Sequence, residues 1–191
     1  MKKMIAVLAA AAALVTGAVV AAPAAGAAPG GSADFGAQAR AAGLSAGQAA
    51  FLDRESAFYL AGVGGKRVGP NVIDLDGTGT VRIALPGEDA PRDLPLADGT
   101  RLTAHCGTGG AAYTYFCAYP NEFFRGTAIE MYSCRYYGIP WTSTGSWDNN
   151  QTAGTRPTQY YTDGRTRLLP AAKSAYTSGV NWNIVSGIKP C

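Results

Sequence analysis

Histidine occurs once, at position 105, and that scarcity removes several function classes. A hydrolase triad needs an imidazole beside its nucleophile, and no Gly-x-Ser-x-Gly elbow accompanies this one. A histidine-based zinc site is excluded by count, and the four cysteines match no zinc-ligand spacing. His105 abuts Cys106, but neighbours in an extended chain point to opposite faces, and a bridged cysteine offers no thiolate. Acidic residues are few as well: beyond residue 104 only Glu122, Glu130, Asp148 and Asp163 remain. Glycoside hydrolysis needs two carboxylates flanking one bond, whereas Glu122 and Asp148 sit in turn-like sequence and read as solvated loop charges. The chain is therefore expected to be non-enzymatic, with no catalytic residue and no cofactor.

Long apolar runs are missing everywhere except at the start. Lys2 and Lys3 precede an apolar stretch from Met4 to about Val20, followed by the small-residue triplet Ala25-Gly26-Ala27. That order is an export signal over residues 1–27, and the expected location is secreted and extracellular. An uncleaved anchor is the alternative, because the stretch is long for a signal. No cysteine lies near the cleavage triplet to carry a lipid. No later segment has the roughly 18 unbroken apolar residues of a spanning helix, so no membrane span is expected after signal cleavage.

Strong charge of either sign is also lacking. The formal net charge is +3, and the basic residues of the C-terminal half are scattered singly. That is a solvated surface rather than a nucleic-acid footprint, and no nucleic-acid partner is expected.

Cysteine is absent before position 106, and Cys106, Cys117, Cys134 and Cys191 then fall in the last part of the chain. An even count in an exported chain implies disulfides. Three pairings are open. Spacing favours Cys106 with Cys117, closing a short turn, and Cys134 with Cys191, tying down the C-terminus.

What is present divides the chain. Residues 28–44 are rich in Ala and Gly without periodicity and read as a flexible leader. Ser45 then caps a helix running to about Leu60, with Gln48 at the capping-box position and Leu52, Glu55 or Ser56, and Tyr59 at helical spacing. Gly62, Gly64 and Gly65 supply the stop. Two alternating runs, Val68 to Leu75 and Val81 to Leu85, surround Asp76-Gly77 and predict a hairpin. Residues 45–86 thus form a helix–hairpin unit, and the proline-broken segment 87–104 reads as a linker. From His105 the texture is all-β. Fifteen of the nineteen aromatic residues lie in 105–191, in short runs broken by Gly, Pro and Asn. Expected strands are 113–119, 127–132, 145–147, 158–161 and 180–188, enough for two Greek-key motifs packed as a sandwich.

Tyr119-x4-Phe124-x-Gly126 has the spacing of a hairpin folded back over its own sheet. Gly126 supplies a positive φ there, and Tyr119 and Phe124 supply the lid. The stretch Tyr115-Phe116-Cys117-Ala118-Tyr119-Pro120-Asn121-Glu122-Phe123-Phe124-Arg125-Gly126, with Ser146-Trp147-Asp148-Asn149-Asn150, resembles the actinobacterial secreted metalloproteinase-inhibitor family over 105–191. The resemblance implies a mainly β, βγ-crystallin-like Greek-key sandwich and a proteinase inhibitor. Two departures stand. The second aromatic-glycine motif is compressed to Tyr160-Tyr161-Thr162-Asp163-Gly164. A second, closely spaced cysteine pair is missing, so the inhibitory residues do not transfer.

Asp148, Asn149 and Thr152 come near the calcium motif of some crystallin-like domains, but Ala153 lacks the closing hydroxyl, and turn-forming roles compete. Tyr136, Tyr137, Trp141 and Trp147 flank Gly138, Pro140 and Gly145 and form the candidate binding surface, with core packing as the competing reading. The expectation is a secreted inhibitor or inhibitor-like protein, its first loop candidate Ile139–Ser146 and its partner a secreted proteinase. The alternative is a carbohydrate- or cell-wall-binding or antimicrobial module.

Overall fold

A computed structural model describes residues 34–191; residues 1–27, expected as an export signal, and the first part of the expected leader lie outside the described residues. In chain order the elements are α1 (Phe35–Ala41), α2 (Ala46–Val63), β1 (Lys66–Gly69), β2 (Val72–Asp74) and β3 (Gly79–Arg82). There follow β4 (Cys106–Gly107), β5 (Gly110–Ala111), β6 (Phe116–Tyr119), β7 (Ala128–Met131), β8 (Tyr137–Gly138) and β9 (Thr144–Asn149). The chain ends with β10 (Thr158–Tyr161), β11 (Thr166–Leu168), β12 (Ser174–Asn181), a 3-10 turn at Trp182–Ile184 and β13 (Val185–Lys189). The protein is mainly β, antiparallel, with a small helical unit.

Helix α2 starts where its cap chemistry dictates. Ser45 Oγ accepts from Gln48 N, and the Gln48 side chain accepts from Ser45 N in return. Ala49, Leu52, Ser56 and Tyr59 make its buried stripe, and Gly64, at φ 84°, stops it. The leader expected over 28–44 differs from this picture. Asp34 caps a real helix, α1, whose Ala39 is fully buried, because a short Ala-rich turn needs only one small apolar contact to dock.

The run Val68 to Leu75 is not one strand. Pro70 cannot donate to a ladder, and the chain turns at Pro70–Asn71, so β1 and β2 pair with each other. β2 then pairs with β3 across the Asp76-Gly77 turn, as the sequence predicts. The larger difference is that β3 pairs with β7, joining Thr80 to Glu130 and Val81 to Ile129. The segments 45–86 and 105–191 therefore share one sheet, with strand order β1-β2-β3-β7-β6-β9-β12. A second sheet has the order β11-β10-β13-β8, and β4 and β5 form a small flap of their own.

The connectivity alternates between the sheets. β6 and β7 are neighbours, β8 crosses to the second sheet, and β9 returns beside β6. β10 and β11 repeat the pattern in the second sheet: β12 crosses to the first, and β13 returns beside β10. The last predicted strand, 180–188, is broken by the 3-10 turn at Trp182. β12 was illegible because most of its residues are exposed and carry no apolar alternation.

One apolar core joins these parts. Leu52 and Tyr59 of α2, Ile73, Val81, Phe116, Ile129 and Trp147 of the large sheet, and Tyr137, Val185 and Ile188 of the small sheet belong to a single cluster. Each such side chain contributes about 1.5–3 kcal/mol by leaving water. Residues 87–104 are not a free linker either: Leu94 is buried in the same core, and Asn71 Nδ2 donates to Arg92 O. The disulfides are Cys106–Cys117 and Cys134–Cys191. The first staples the β4–β5 flap to β6; the second ties the segment after β7 to the segment after β13, one from each sheet. Two disulfides fit an oxidising compartment. Among the described residues no helix is long and apolar enough to cross a membrane.

Candidate functional site

Strands β6 and β7 are joined by the Tyr119–Gly126 segment, which folds back over the outer face of the large sheet. Phe123 and Phe124 take φ values of 60° and 59°, and Gly126 takes 86°. Left-handed backbone at a bulky aromatic residue costs roughly 1–2 kcal/mol and persists only where neighbours fix it. The fixing groups are specific. Ser146 Oγ on β9 accepts from Phe124 N at 3.0 Å and donates to Asn121 O at 2.7 Å. Phe123 N donates to Thr177 O, and Glu122 Oε1 accepts from Gly179 N at 2.9 Å. Gly126 N donates to Asp89 O, while Asp89 also faces Arg125 at 3.5 Å. Beneath the hairpin the rings of Tyr119 and Phe124 lie 5.5 Å apart. Gly126 is needed sterically too, since a Cβ there would sit 2.8 Å from Asn121 Nδ2.

This arrangement turns one side chain outward. Tyr119 is buried and Phe124 is half-buried, but Phe123 stands 55% exposed at the tip. The result is a rigid protrusion, anchored to two other strands, with an aromatic ring at its end.

A second surface feature lies over β2, β3 and β7. It is a groove of about 500 Å³ floored by Thr80, Arg82 and Glu130. His105 stacks on Tyr115 at 4.1 Å, and Tyr132 tilts against Tyr115 at 5.3 Å. Glu130, 1% exposed, is fully engaged: Oε1 accepts from His105 N and Cys106 N, and Oε2 accepts from Thr80 Oγ1. The Arg82 guanidinium lies 3.3 Å from the same carboxylate and donates to Leu102 O. Burial, with Glu130 and Tyr132 nearby, pushes the Tyr115 phenol above its ordinary value. The pair Arg82 and Glu130 thus pins residues 102–106 to the sheet.

The other carboxylates of 105–191 are likewise engaged. Asp148 Oδ2 accepts from Ala111 N at 2.7 Å, fastening the flap. Asp163 is bonded to Arg165 N and Nε, and those bonds hold its carboxyl below the usual range.

The aromatic surface expected from the sequence divides. Tyr137, Trp141 and Trp147 are 0%, 6% and 2% exposed, and only Tyr136, at 47%, faces solvent. Trp141 donates to Tyr59 OH and Tyr137 OH donates to Thr78 O, so both side chains hold the two halves of the core together. The Ile139–Ser146 loop is consequently no protrusion: Ile139, Trp141, Gly145 and Ser146 are buried. The calcium candidates do not converge. Asp148 reaches the flap on the outer face, whereas Asn149, next along β9, donates to Thr155 O and Pro170 O on the inner side; Thr152 is exposed. Alternation along a strand places these neighbours on opposite faces. No cluster of three or more His, Cys, Asp or Glu able to hold a metal occurs among the described residues.

Sequence reasoning named Tyr119, Phe124 and Gly126 but passed over Phe123 between them. No periodic signal could have found it, because residues 122–124 form a turn with left-handed backbone at Phe123 and Phe124 rather than a strand. No family model, curated protein or solved structure matches the chain.

Proposed function

We propose that the protein is an exported, non-enzymatic binding protein of the inhibitor type, built on two crystallin-like Greek keys, with Phe123 as its contact residue. The observation that carries this reading is the pinned tip: an aromatic side chain 55% exposed on backbone held by Ser146, Thr177 and Gly179. The alternating strand order of the two sheets supports the fold assignment.

Aromatic side chains dominate binding hot spots, and a loop ordered before binding avoids most of the entropic cost of association. The partner such a tip fits is an enzyme cleft with an apolar side-chain pocket, and the class proposed is a secreted proteinase. Phe123 would enter as a plug. Its left-handed backbone is not the extended form in which a peptide bond lies across a catalytic centre, so the Phe123–Phe124 bond is protected while the ring occupies the pocket.

The test is inhibition of a panel of secreted metallo- and serine proteinases by the full chain and by Phe123→Ala. Inhibition by the parent at micromolar concentration, weakened at least about tenfold by the substitution, supports the reading. An unaffected panel would overturn the inhibitor assignment, and equal inhibition by both proteins would overturn the assignment of Phe123.

A further inference from the structure

At the end of the sandwich where β9 and β12 face β10 and β11, the two sheets do not close completely. A pocket of about 200 Å³ remains, with Trp147, Tyr161 and Tyr176 among its walls and Gln159, Asn181 and Arg167 supplying polar groups. Trp147 and Tyr176 stack at 5.4 Å, with 23° between their planes. Tyr176 is half exposed at the mouth, while Trp147 is 2% exposed.

Three features mark this cavity as built to receive something. Among the described residues, the indoles of Trp141 and Trp182 donate to Tyr59 OH and Tyr119 O, but Trp147 Nε1–H has no acceptor. That N–H is not sealed from solvent, so it is free to donate to a ligand in the pocket. Gln159 is 6% exposed; its Oε1 accepts from Tyr161 OH, and its amide nitrogen has no acceptor among the described residues. Arg167, on exposed strand β11, makes no ion pair among the described residues, and no carboxylate lines the pocket. A free amide N–H, a free indole N–H and an unpaired cation thus line one pocket with flat aromatic walls.

We propose that this inter-sheet pocket binds one acidic pyranose, a single sugar ring carrying a carboxylate. The size sets the first limit: drug-sized ligands need roughly 300–1,000 Å³, so this cavity takes one ring. The chemistry sets the second. A pyranose has an apolar face to lie against Tyr176 or Tyr161, and an edge of hydroxyl acceptors for Gln159 Nε2 and Trp147 Nε1. The carboxylate answers Arg167, whose planar fork can bind it in bidentate fashion. A planar aromatic acid would satisfy the walls and Arg167 but bring no hydroxyl acceptors for the two free N–H groups. The site does not depend on the proteinase reading, because Phe123 is absent from its lining.

The experiment is titration of the full, isotope-labelled protein with glucuronic acid, N-acetylmuramic acid, glucose and benzoate, followed by amide and indole NMR. Monosaccharide affinities of this kind fall in the millimolar range. The expected result is a shift of the Trp147 indole and Gln159 amide resonances with one or both acidic sugars. Binding should weaken about tenfold in Arg167→Gln and in Tyr176→Ala, both surface changes that spare the fold. No shift at roughly 10 mM acid sugar would overturn the proposal. So would shifts that survive Arg167→Gln, or benzoate binding as tightly as the sugars. Loss of proteinase inhibition in Phe123→Ala with the sugar shifts intact would keep the two readings separate.

Discussion

The indole N–H of Trp141 donates to the hydroxyl of Tyr59 across 2.8 Å, and both side chains are buried. Tyr59 belongs to helix α2, and Trp141 to the loop that leads from the second sheet back to the first. Their bond fastens the N-terminal segment onto the part of the chain that carries the disulfides. Burial also pushes the Tyr59 phenol above its ordinary value, although its bond to Trp141 opposes that shift.

Tyr59→Phe keeps the packing and leaves the indole donor unmet. A buried donor without a partner costs about 1–3 kcal/mol, so the urea midpoint should fall without a change in slope. A fragment of residues 93–191 goes further. It loses the β3 partner of β7 and uncovers Ile129, Met131 and Tyr137, so it should fail to give a cooperative transition. A folded 93–191 fragment, read by dispersed NMR amide shifts, would contradict the single-core account.

A second prediction concerns the buried pair on the outer face. Glu130→Leu leaves Arg82, 2% exposed, with only the exposed Asp93 carboxylate at 4.0 Å, and leaves His105 N and Cys106 N without an acceptor. Removing one partner of a buried pair typically costs 3–5 kcal/mol, by an effective estimate of roughly that size. Adding Arg82→Met should recover part of the loss, because the stranded charge goes with it. A double-mutant cycle measures this; strictly additive losses would mean that the two side chains do not act as a unit.

How far the sequence could be read depends on how local each cause was. The α2 capping box, the Asp76-Gly77 turn and strand β10 are set by residues within a few positions of one another, and each was legible. The cysteine pairing was favoured from spacing because one pair closes a short turn. The pairing of β3 with β7 joins residues some fifty positions apart, and no local pattern announces it. Tyr137, Trp141 and Trp147 stand beside Gly and Pro and so looked like surface loops. They are buried because Tyr137 on β8, Trp147 on β9 and Trp141 on the crossing between those strands all pack into the shared core. Phe123 is the converse case: a large apolar residue forced outward by a hairpin whose lid is Phe124.

Alkaline pH gives a third prediction. Burial is the main cause that raises the Tyr119 phenol, with the charges of Asp148 and Glu130 acting in the same direction. A raised value means that the folded protein holds its proton more tightly than the unfolded chain does. The stabilisation is therefore complete below about pH 10, the ordinary tyrosine value, and is lost as pH rises above it. Urea midpoints measured from neutral pH upward should decline beyond that point. Tyr119→Phe should flatten the decline while costing about 1 kcal/mol at neutral pH, because Gly107 O loses its donor. An equally steep decline in the variant would place the alkaline sensitivity elsewhere.

Gly145 supplies the last prediction, because a buried indole and the backbone of the adjacent strand meet at its missing side chain. Trp182 Nε1 donates to Tyr119 O at 2.7 Å directly over this glycine. A Cβ at position 145 would lie 2.2 Å from Tyr119 O and 2.3 Å from Trp182 Nε1. The first atom is backbone of the adjacent strand β6, which the ladder from β6 to β9 holds in register; the second belongs to a fully buried ring. Neither can retreat without breaking the other's hydrogen bond. Gly145→Ala should therefore cost at least about 3 kcal/mol, the upper end for overpacking, with the indole donor stranded as well. Gly109→Ala, where an added Cβ meets nothing within 4 Å, serves as the control and should stay within about 0.5 kcal/mol. Thermal melts of the two variants read the contrast. Similar losses at both positions would mean that β6 and the Trp182 turn yield more easily than their packing implies.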